Sequence, residues 1–565
     1  MNEVNTMNIP HTVIRLAEFG GRPDSGEDTA AAMRRAIEEA VRIAGPVVLS
    51  CERGRYDFYP THATKAKYYI SNTASFDENP DVTKTIGILL QGLRNVTLDG
   101  NGSLFVFHGK QTMIVVDGCE EVAIRNLRLD YEQPTVAEMT VEGIGAGFLD
   151  VAVHKDSRYE ADNGAVTWVG EGWRFRDGPM QEYDPLTDTT WRIDNAVAAA
   201  ARVEEREPGR LRLFFDAGRM PPTAVGRVLQ TRDGIRDQVG ALVIRSRKVE
   251  WSDMGVHFMH GLGLVCQFSE DVSFERMELA PRPETGRTVA AFADFIHVSG
   301  CRGLIRVADS RFAGAHDDVI NVHGTYLRVA GKPSADEVLL RFMHPQSYGF
   351  PAFFPGDCIE FIRSESLAAY AEAVVIEAAL VDPHVMRIKL DRDVPEALRG
   401  DDVVENVTWT PEVEIVNNRM ARIPTRGVLV TTRGRALIEG NRFERMTMSA
   451  VLVAGDAGSW YESGSVDNLT IRDNTFVECG GADHAVIAIS PENSEAEEEQ
   501  YVHARIVIEG NRFEMRDAPL LEARSVEHLT FVDNQIVLPG KLKEAGATIR
   551  LTACDDVSVT GNRYS

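Results

Sequence analysis

A strand-and-turn unit recurs down the second half of the chain, and it constrains the fold more than any other feature. The segments ALIEGNRFERM, LTIRDNTFVEC, IVIEGNRFEMR, HLTFVDNQIVL and VSVTGNRYS share an apolar-x-apolar strand, a turn Asn and a second short apolar pair. The turn residues Asn418, Asn441, Asn474, Asn511, Asn534 and Asn562 lie 23, 33, 37, 23 and 28 positions apart. Strand-plus-turn units at a period of roughly 20 to 40 residues, with almost no helical pattern between them, indicate a β-solenoid whose coils bury their apolar faces on one another. The asparagines are assigned a structural role, taking left-handed turn geometry and stacking in ladders along the coil axis.

The pattern extends upstream through LRNVTLDGNGS, EEVAIRNLRL, EDVSFERMEL and RGLIRVADSRF, so the solenoid is expected from about residue 90 to the C-terminus. Two stretches break the period. From about 132 to 240 and from about 325 to 410, alternating segments such as TVAEMTVEGI, RLRLFFDAG, EVLLRFM and AEAVVIEAALV predict antiparallel strands of small inserted β-barrels or sandwiches. The domain plan is therefore 1–131 (cap and first coils), 132–240 (first insert), 241–324 (coils), 325–410 (second insert) and 411–565 (C-terminal coils). One helix is expected, in DTAAAMRRAIEEAVRIAG, with Asp28 or Thr29 as N-cap and Gly45 past its end. An amphipathic helix there would cover the open end of the solenoid core.

Two neighbouring segments carry the chemistry. AFADFIHVSG contains Asp294, and AGAHDDVINVHG contains Asp317 and Asp318. Coils stack at about the interstrand spacing of 4.7–4.9 Å, and Asp294 to Asp317 is 23 residues, the interval that also separates Asn418 from Asn441. A 23-residue register would cluster three carboxylates on one face of consecutive coils and set His297 against Ile320. Consecutive strand residues point to opposite faces, so Asp317 and Asp318 can share a groove only beside a bend or bulge. Crowded carboxylates push one pKa up, leaving one protonated acid and one ionised base, the division of labour of glycoside hydrolysis. A calcium site made of the same oxygens is the alternative.

Composition narrows the partners. A net charge of −25 without a Lys/Arg stripe argues against nucleic acid. No apolar run reaches the roughly 18 residues of a membrane span. The start, MNEVNTMNIPHTVIRLAEFGG, shows no secretory signal, which favours a cytoplasmic location, or a secreted or periplasmic one if a leader has been removed. The seven cysteines are scattered, without metal-ligand spacing, and are read as reduced core residues. No cofactor or metal is expected.

FGGRPDSGEDTAAAMRRAI resembles the N-terminal cap of pectate-lyase-like right-handed β-helix proteins. ADFIHVSGC and AGAHDDVINVHGT, followed by RIPTRGVLVTT and AGDAGSWYESGSV, look like the ordered motifs of glycoside hydrolase family 110, the exo-acting α-1,3-galactosidases. The resemblance implies an all-β right-handed parallel β-helix with two barrel inserts. It also implies removal, with inversion, of terminal α-1,3-linked galactose from blood-group-B-type or linear Galα1,3Gal glycans. Asp294, Asp317 and Asp318 fall on the family's catalytic carboxylates. By a further likeness to polygalacturonases, Asp317 is expected as the acid, with Asp294 and Asp318 holding the water. Phe295 departs from a DGIH-like run and bears on the shape of the sugar pocket.

His297, Asn321, His323 and Arg426 are candidate ligands of sugar hydroxyls, and Trp460 and Glu462 sit in a Gly-bounded loop suited to galactose recognition. Tyr348 on the second insert is a candidate to reach over the cleft. The EAEEEQ run from 495 reads as a solvated loop. The competing functions are a polygalacturonase-like hydrolase, disfavoured by the lack of Lys/Arg near the DD pair, and a non-catalytic glycan-binding β-helix. A solenoid with inserts offers flat surface for a homodimer, without an exclusive signal for one.

Overall fold

The computed structural model describes residues 11–495, 500–538 and 548–565; the centre of the acidic EAEEEQ run and the first ten residues lie outside these. The chain is a right-handed parallel β-helix. Each complete coil carries three short strands, as in Leu264–Gln267, Glu270–Glu275 and Glu278–Leu279, which pair in parallel with Ile296–Ser299, Arg302–Ala308 and Arg311–Ala313 of the next coil. Inward positions are Val, Ile, Leu and Phe on every coil, giving one continuous core along the axis. Phe443, Phe476 and Phe513 stack inside it with centroids 5.0 and 4.9 Å apart, the spacing of the coils themselves.

The asparagine ladder forms as the repeat predicts. Asn441 Nδ2 donates to the Ile415 carbonyl of the previous coil and to Asn474 Oδ1 of the next, which also accepts from the Asn441 backbone N–H. The same set of bonds runs from Asn418 to Asn562. The left-handed residue, however, is the one before each ladder asparagine: Asn417, Gly440, Asp473, Gly510, Asp533 and Gly561 all have φ between 53° and 69°. That residue turns the corner, which frees the asparagine to point inward and spend its amide on the neighbouring coils.

The helix Ala30–Arg42 covers the first coils with Ala32, Met33, Ala36, Ile37 and Ala40 buried. Thr29 is its N-cap residue, but the capping bond comes from Asp28, whose Oδ1 accepts the Ala30 N–H. None of the helices among the described residues is long and apolar enough to cross a membrane. The first insert is a seven-stranded antiparallel sheet with a three-stranded sheet sharing its core; the second is a closed barrel of six strands between Leu327 and Asn406. That barrel leaves the solenoid after the strand Ile320–Thr325, within one coil. Cys358 is exposed on the barrel, a correction to the reading of every cysteine as core, whereas Cys51, Cys119, Cys266, Cys301 and Cys479 are buried.

Replacing a central ladder asparagine, Asn474→Ala, should strand buried donors and acceptors on three coils. At about 1–3 kcal/mol for each group left unsatisfied, denaturant unfolding followed by circular dichroism should shift markedly to lower denaturant, whereas Asn417→Gly at the turn should shift it little.

Candidate active site

The strands Ile296–Ser299, Ile320–Thr325 and Val428–Val430 lie side by side on one face, and their register builds the site. Ile296 pairs with Ile320 and His297 with Asn321, so the offset is 24 and not the expected 23, because a register shift adds one residue between Ile296 and Ile305 of this coil. Carried back two residues, the register sets Asp294 beside Asp318, and Asp318 beside Arg426. Asp317 stands one residue before this column, in the bend at 316–317 that brings both adjacent aspartates to the same cavity. Behind the Asp294 turn the backbone of Gly263 approaches so closely that a Cβ there would lie 2.2 Å from the Asp294 carbonyl oxygen, and its φ of +86° excludes a side chain as well.

The three carboxylates open onto a cavity of about 210 Å³. Its walls are Asn72, Arg192, Arg236, Asn321, Arg426, Leu429, Trp460 and Glu462, and Asn321 Oδ1 is buried without a hydrogen-bond partner. Each carboxylate has a different setting. Asp317 accepts from Arg192 Nη2 at 3.0 Å on one oxygen and from Arg236 Nη2 at 2.8 Å on the other. Burial works to raise its pKa, but the guanidiniums of Arg236, Arg192, Arg426 and Arg232 outweigh this and hold it below the usual carboxylate range. Asp318 Oδ1 accepts the backbone N–H and Nε–H of Arg426 at 3.1 and 3.0 Å. Burial pushes its pKa up to about 6 against the pull of Arg426. Asp294 meets no guanidinium within hydrogen-bond reach; its Oδ2 lies 2.9 Å from His297 Nδ1. Burial, and then the negative charge of Asp317, push it up to about 8. Of the three carboxyls, Asp294 is the one pushed furthest up, and Asp317, the expected acid, is the one its guanidinium partners hold down.

The sequence candidates divide by position. Asn321, Arg426, Trp460 and Glu462 line the cavity. His297 and His323 do not: both are almost fully buried behind Asp294, with Nε2 atoms 3.0 Å apart, so direct contact with a bound molecule is not what their placement offers. Phe295 points into the solenoid core against Phe312 and leaves the cavity shape untouched. Tyr348 packs between Tyr69 and His384, and it is His344, four residues earlier, that stacks on Trp460 with centroids 4.2 Å apart. The short strand Glu462–Ser463 pairs antiparallel with the end of the strand Ile320–Thr325, and Asn72 Nδ2 donates to Glu462 Oε1 at 2.8 Å, so Glu462 is held on both sides.

Arg192, Arg236 and Asn72 were not found from the sequence. Arg192 is on the first insert, Arg236 on the segment returning from it, and Asn72 on a loop before the first long coil strands. The clustered charges of RDGIRDQ, at the insert boundary, were the one available signal. These arginines also remove the argument that Lys and Arg are lacking near the DD pair: they arrive from remote segments, and their charge is spent on the carboxylates. Among the described residues no group of three or more His, Cys, Asp or Glu is disposed to hold a metal ion.

Comparison with known proteins bears on the same regions. Family models for GLAA-B β-barrel domain I and domain II match residues 137–229 and 337–404, the two inserts. The chain is 42% identical to alpha-1,3-galactosidase A of Bacteroides fragilis over 93% of its own length and 87% of that relative. With alpha-1,3-galactosidase A of Bacteroides thetaiotaomicron the identity is 41%, over 96% and 95%. The chain belongs to the α-1,3-galactosidase family, glycoside hydrolase family 110. The family also takes in alpha-1,3-galactosidase B of Bacteroides thetaiotaomicron, 32% identical to this chain over 98% of it and 91% of the relative. In this α-1,3-galactosidase family member the inserts that the family models match supply Arg192 and His344 to the site, while Asn72 comes from the N-terminal loop and Arg236 from the segment after the first insert.

The raised pKa of Asp294 makes a stability prediction with a definite sign. A carboxyl that binds its proton more tightly folded than unfolded contributes stability below its unfolded pKa, about 3.9, and loses it as pH rises toward about 8. The melting temperature of Asp294→Asn should therefore gain on the wild type as pH rises from 4 to 8 and keep a constant lead above that; calorimetry at intervals of one pH unit checks it.

Proposed function

We propose that this chain is an exo-acting, inverting α-1,3-galactosidase that releases terminal non-reducing α-1,3-linked galactose from glycans. The observation that carries the proposal is the cavity itself. At about 210 Å³ it is smaller than the roughly 300–1,000 Å³ of pockets that take drug-sized ligands, a size suited to one terminal sugar ring, and it sets a protonated carboxyl beside two held carboxylates. The alpha-1,3-galactosidase relatives supply the linkage and the sugar.

The roles follow from protonation state. Asp294 gives its proton to the departing glycosidic oxygen. Asp318 takes the proton of the attacking water on the opposite face of the ring, since a base is most effective with a pKa near the working pH, and Asp318 at about 6 meets that better than the doubly clamped Asp317. Asp317 stays a carboxylate and stabilises the positive charge that develops on the ring. Asn321 Oδ1, Glu462 and Arg426 offer acceptors and a donor for the ring hydroxyls. Trp460, about two-fifths exposed and backed by His344, sits at the mouth where the rest of the glycan leaves.

A polygalacturonase-like activity would use the arginines for a uronate carboxylate, but Arg192, Arg236 and Arg426 are each already bonded to a carboxylate of the chain. With a net charge of −25, nucleic acid is not among the proposed partners.

Incubation with Galα1,3Gal, Galα1,4Gal and Galα1,6Glc, followed by proton NMR of the first-formed anomer, should give β-galactose from the first alone. Asp294→Asn and Asp318→Asn should each lower kcat by about 10²–10⁴-fold. With an aryl α-galactoside bearing an activated leaving group, Asp294→Asn should recover most of its loss and Asp318→Asn should not. Retention of the α-anomer, or recovery in the Asp317→Asn variant instead, would reject the assigned roles. Trp460→Ala should raise KM for the disaccharide several-fold while leaving the aryl substrate nearly unaffected.

A further inference from the structure

The proposed mechanism leaves unused the charges that hold Arg236. The segment 232–240 carries the chain from the first insert's strand Val228–Thr231 back to the solenoid strand Ala241–Ile244. Lys110 stands on the solenoid turn between the strands Arg94–Phe107 and Thr112–Asp117. Its Nζ donates to Asp233 Oδ2 at 2.9 Å and to Asp237 Oδ2 at 3.2 Å. Asp237 Oδ1 lies 2.6 Å from His260 Nε2, and the Asp237 carbonyl oxygen accepts from Lys84 Nζ at 2.8 Å. Asp233 Oδ1 accepts the Ile235 N–H at 3.0 Å, and Gly234, at φ +87°, completes the turn. The chain from Asp233 to Asp237 is thereby closed over one ammonium group.

Arg236 lies within this closed turn and reaches the cavity instead. Its Nη2 donates to Asp317 Oδ2 at 2.8 Å and its Nη1 to the Asn72 carbonyl oxygen at 3.4 Å, while its own carbonyl oxygen accepts the Ala74 N–H at 3.1 Å. Exposed ion pairs hold little, but the side chains of Lys110, Asp233, Asp237 and Arg236 are only 13–18% exposed. We infer that Lys110 is a positioning residue: by bridging Asp233 and Asp237 it fixes where Arg236 meets Asp317 and Asn72. The inference rests on the reading of the aspartate cluster as the reacting groups, and it is indifferent to which of them gives the proton.

The charges around Arg236 come from every neighbouring element. It faces Asp317 and, at longer range, Asp294 and His297 from the solenoid, Glu78 from the N-terminal loop, His344 from the second insert and Arg232 from its own segment. Asp317 meets Arg192, Arg232 and Arg426 besides. Lys110 meets Asp233, Asp237 and His260, whose Nδ1 lies 2.7 Å from Thr135 Oγ1. Burial works to raise the pKa of Asp237, but the bond to His260 and the charge of Lys110 outweigh it and hold Asp237 below the usual carboxylate range. Burial likewise works to lower Lys110, and Asp237 with Asp233 outweighs it and holds Lys110 above its ordinary value. Neither group titrates near neutral pH, so the clamp itself adds no limb to a pH profile. Arg236 favours the charged form of both Asp317 and Asp294, and loosening it raises both.

The pH profile of kcat/KM reads the ionisations of the free enzyme. Its alkaline limb, where the acid loses its proton, should move upward on loosening Arg236 whether that acid is Asp294 or Asp317. Arg236→Gln should move it by about one pH unit, the effect of one opposite charge on a nearby carboxylate. Lys110→Met should move it in the same direction by less. Asp233→Asn, whose amide oxygen can still accept the Ile235 N–H, should give a smaller step again. Lys110→Met combined with Arg236→Gln should move the limb no further than Arg236→Gln alone, because Lys110 acts through that guanidinium. An unmoved limb in both Lys110→Met and Asp233→Asn, with kcat/KM lowered equally at every pH, would reduce the clamp to packing and overturn the inference. Additive shifts in the double variant would assign the effect to the charge of Lys110 itself and overturn it as well.

Amide hydrogen exchange read by mass spectrometry needs no turnover. The peptide 70–76, which carries the Ala74 N–H bonded to the Arg236 carbonyl, should exchange faster in Lys110→Met and Asp233→Asn than in the wild type, together with the peptide 232–238. The ladder around Asn474 should keep its protection, which separates this local release from general unfolding. Wild-type protection of peptide 70–76 in both variants would sink the inference whatever the activity. If the wild type released no galactose from any substrate but the variants lost that protection, the functional reading would fail and the placement of Arg236 by Lys110 would stand.

Discussion

The in-register stacking of coils is the constraint on which the rest of this molecule depends. Its strength lies in the backbone ladders and in the asparagine amides that bridge each coil to both neighbours. The consequence is that position along the chain and position in space are decoupled. Ile320 and Val428 are 108 residues apart, with a whole barrel between them, and still pair as neighbours. The column Asp294–Asp318–Arg426 is therefore set by register, and the length of what is inserted between its members does not disturb it.

Register alone places like charges together, and the arginines decide what that crowding does. Two opposite charges about 4 Å apart in an environment of effective dielectric near 20 interact by roughly 4 kcal/mol, enough to overcome the burial penalty when two guanidiniums act on one carboxylate. Asp317 has two such partners and is held below the usual range; Asp318 has one and lands near 6; Asp294 has none within hydrogen-bond reach and is pushed furthest up. The graded series comes from a count of guanidinium contacts. Three aspartates of identical intrinsic acidity thereby acquire three different proton affinities.

The features that are periodic in one dimension were legible in the sequence. The solenoid, the capping helix over residues 30–42, the asparagine ladder and the convergence of Asp294 with the DD pair all repeat at short range or follow from apolar alternation. What was not legible was a one-residue register shift between Ile296 and Ile305: the resulting difference between offsets of 23 and 24 changes the partner of Asp294 from Asp317 to Asp318 and that of His297 from Ile320 to Asn321. The αL residue was misplaced by one position because Asn, invariably the ladder residue, is also a residue type that adopts αL at corners, as Asn417 does. Arg192, Arg236 and Asn72 carry no local pattern at all, because their role exists only once the inserts are folded against the solenoid.

That division has a physical logic. Residues on stacked strands are fixed by backbone hydrogen bonds to within a fraction of the coil spacing, which suits groups that must meet a reacting bond at a set distance. Groups arriving on inserts and loops are fixed by side-chain bonds, such as Asn72 to Glu462, Ser347 Oγ to Asn72 Oδ1 and Arg236 to Asp317. Those bonds tie the N-terminal loop, the second insert and the segment leaving the first insert into a single rim. A rim built this way can change the shape of the mouth without moving the aspartate column, so the glycan accepted and the bond cleaved are controlled by different parts of the chain. Arg236 is the exception: it belongs to the rim yet sets the charge of Asp317, and through that charge it acts on Asp294. A shift of that segment would thus alter recognition and acidity together.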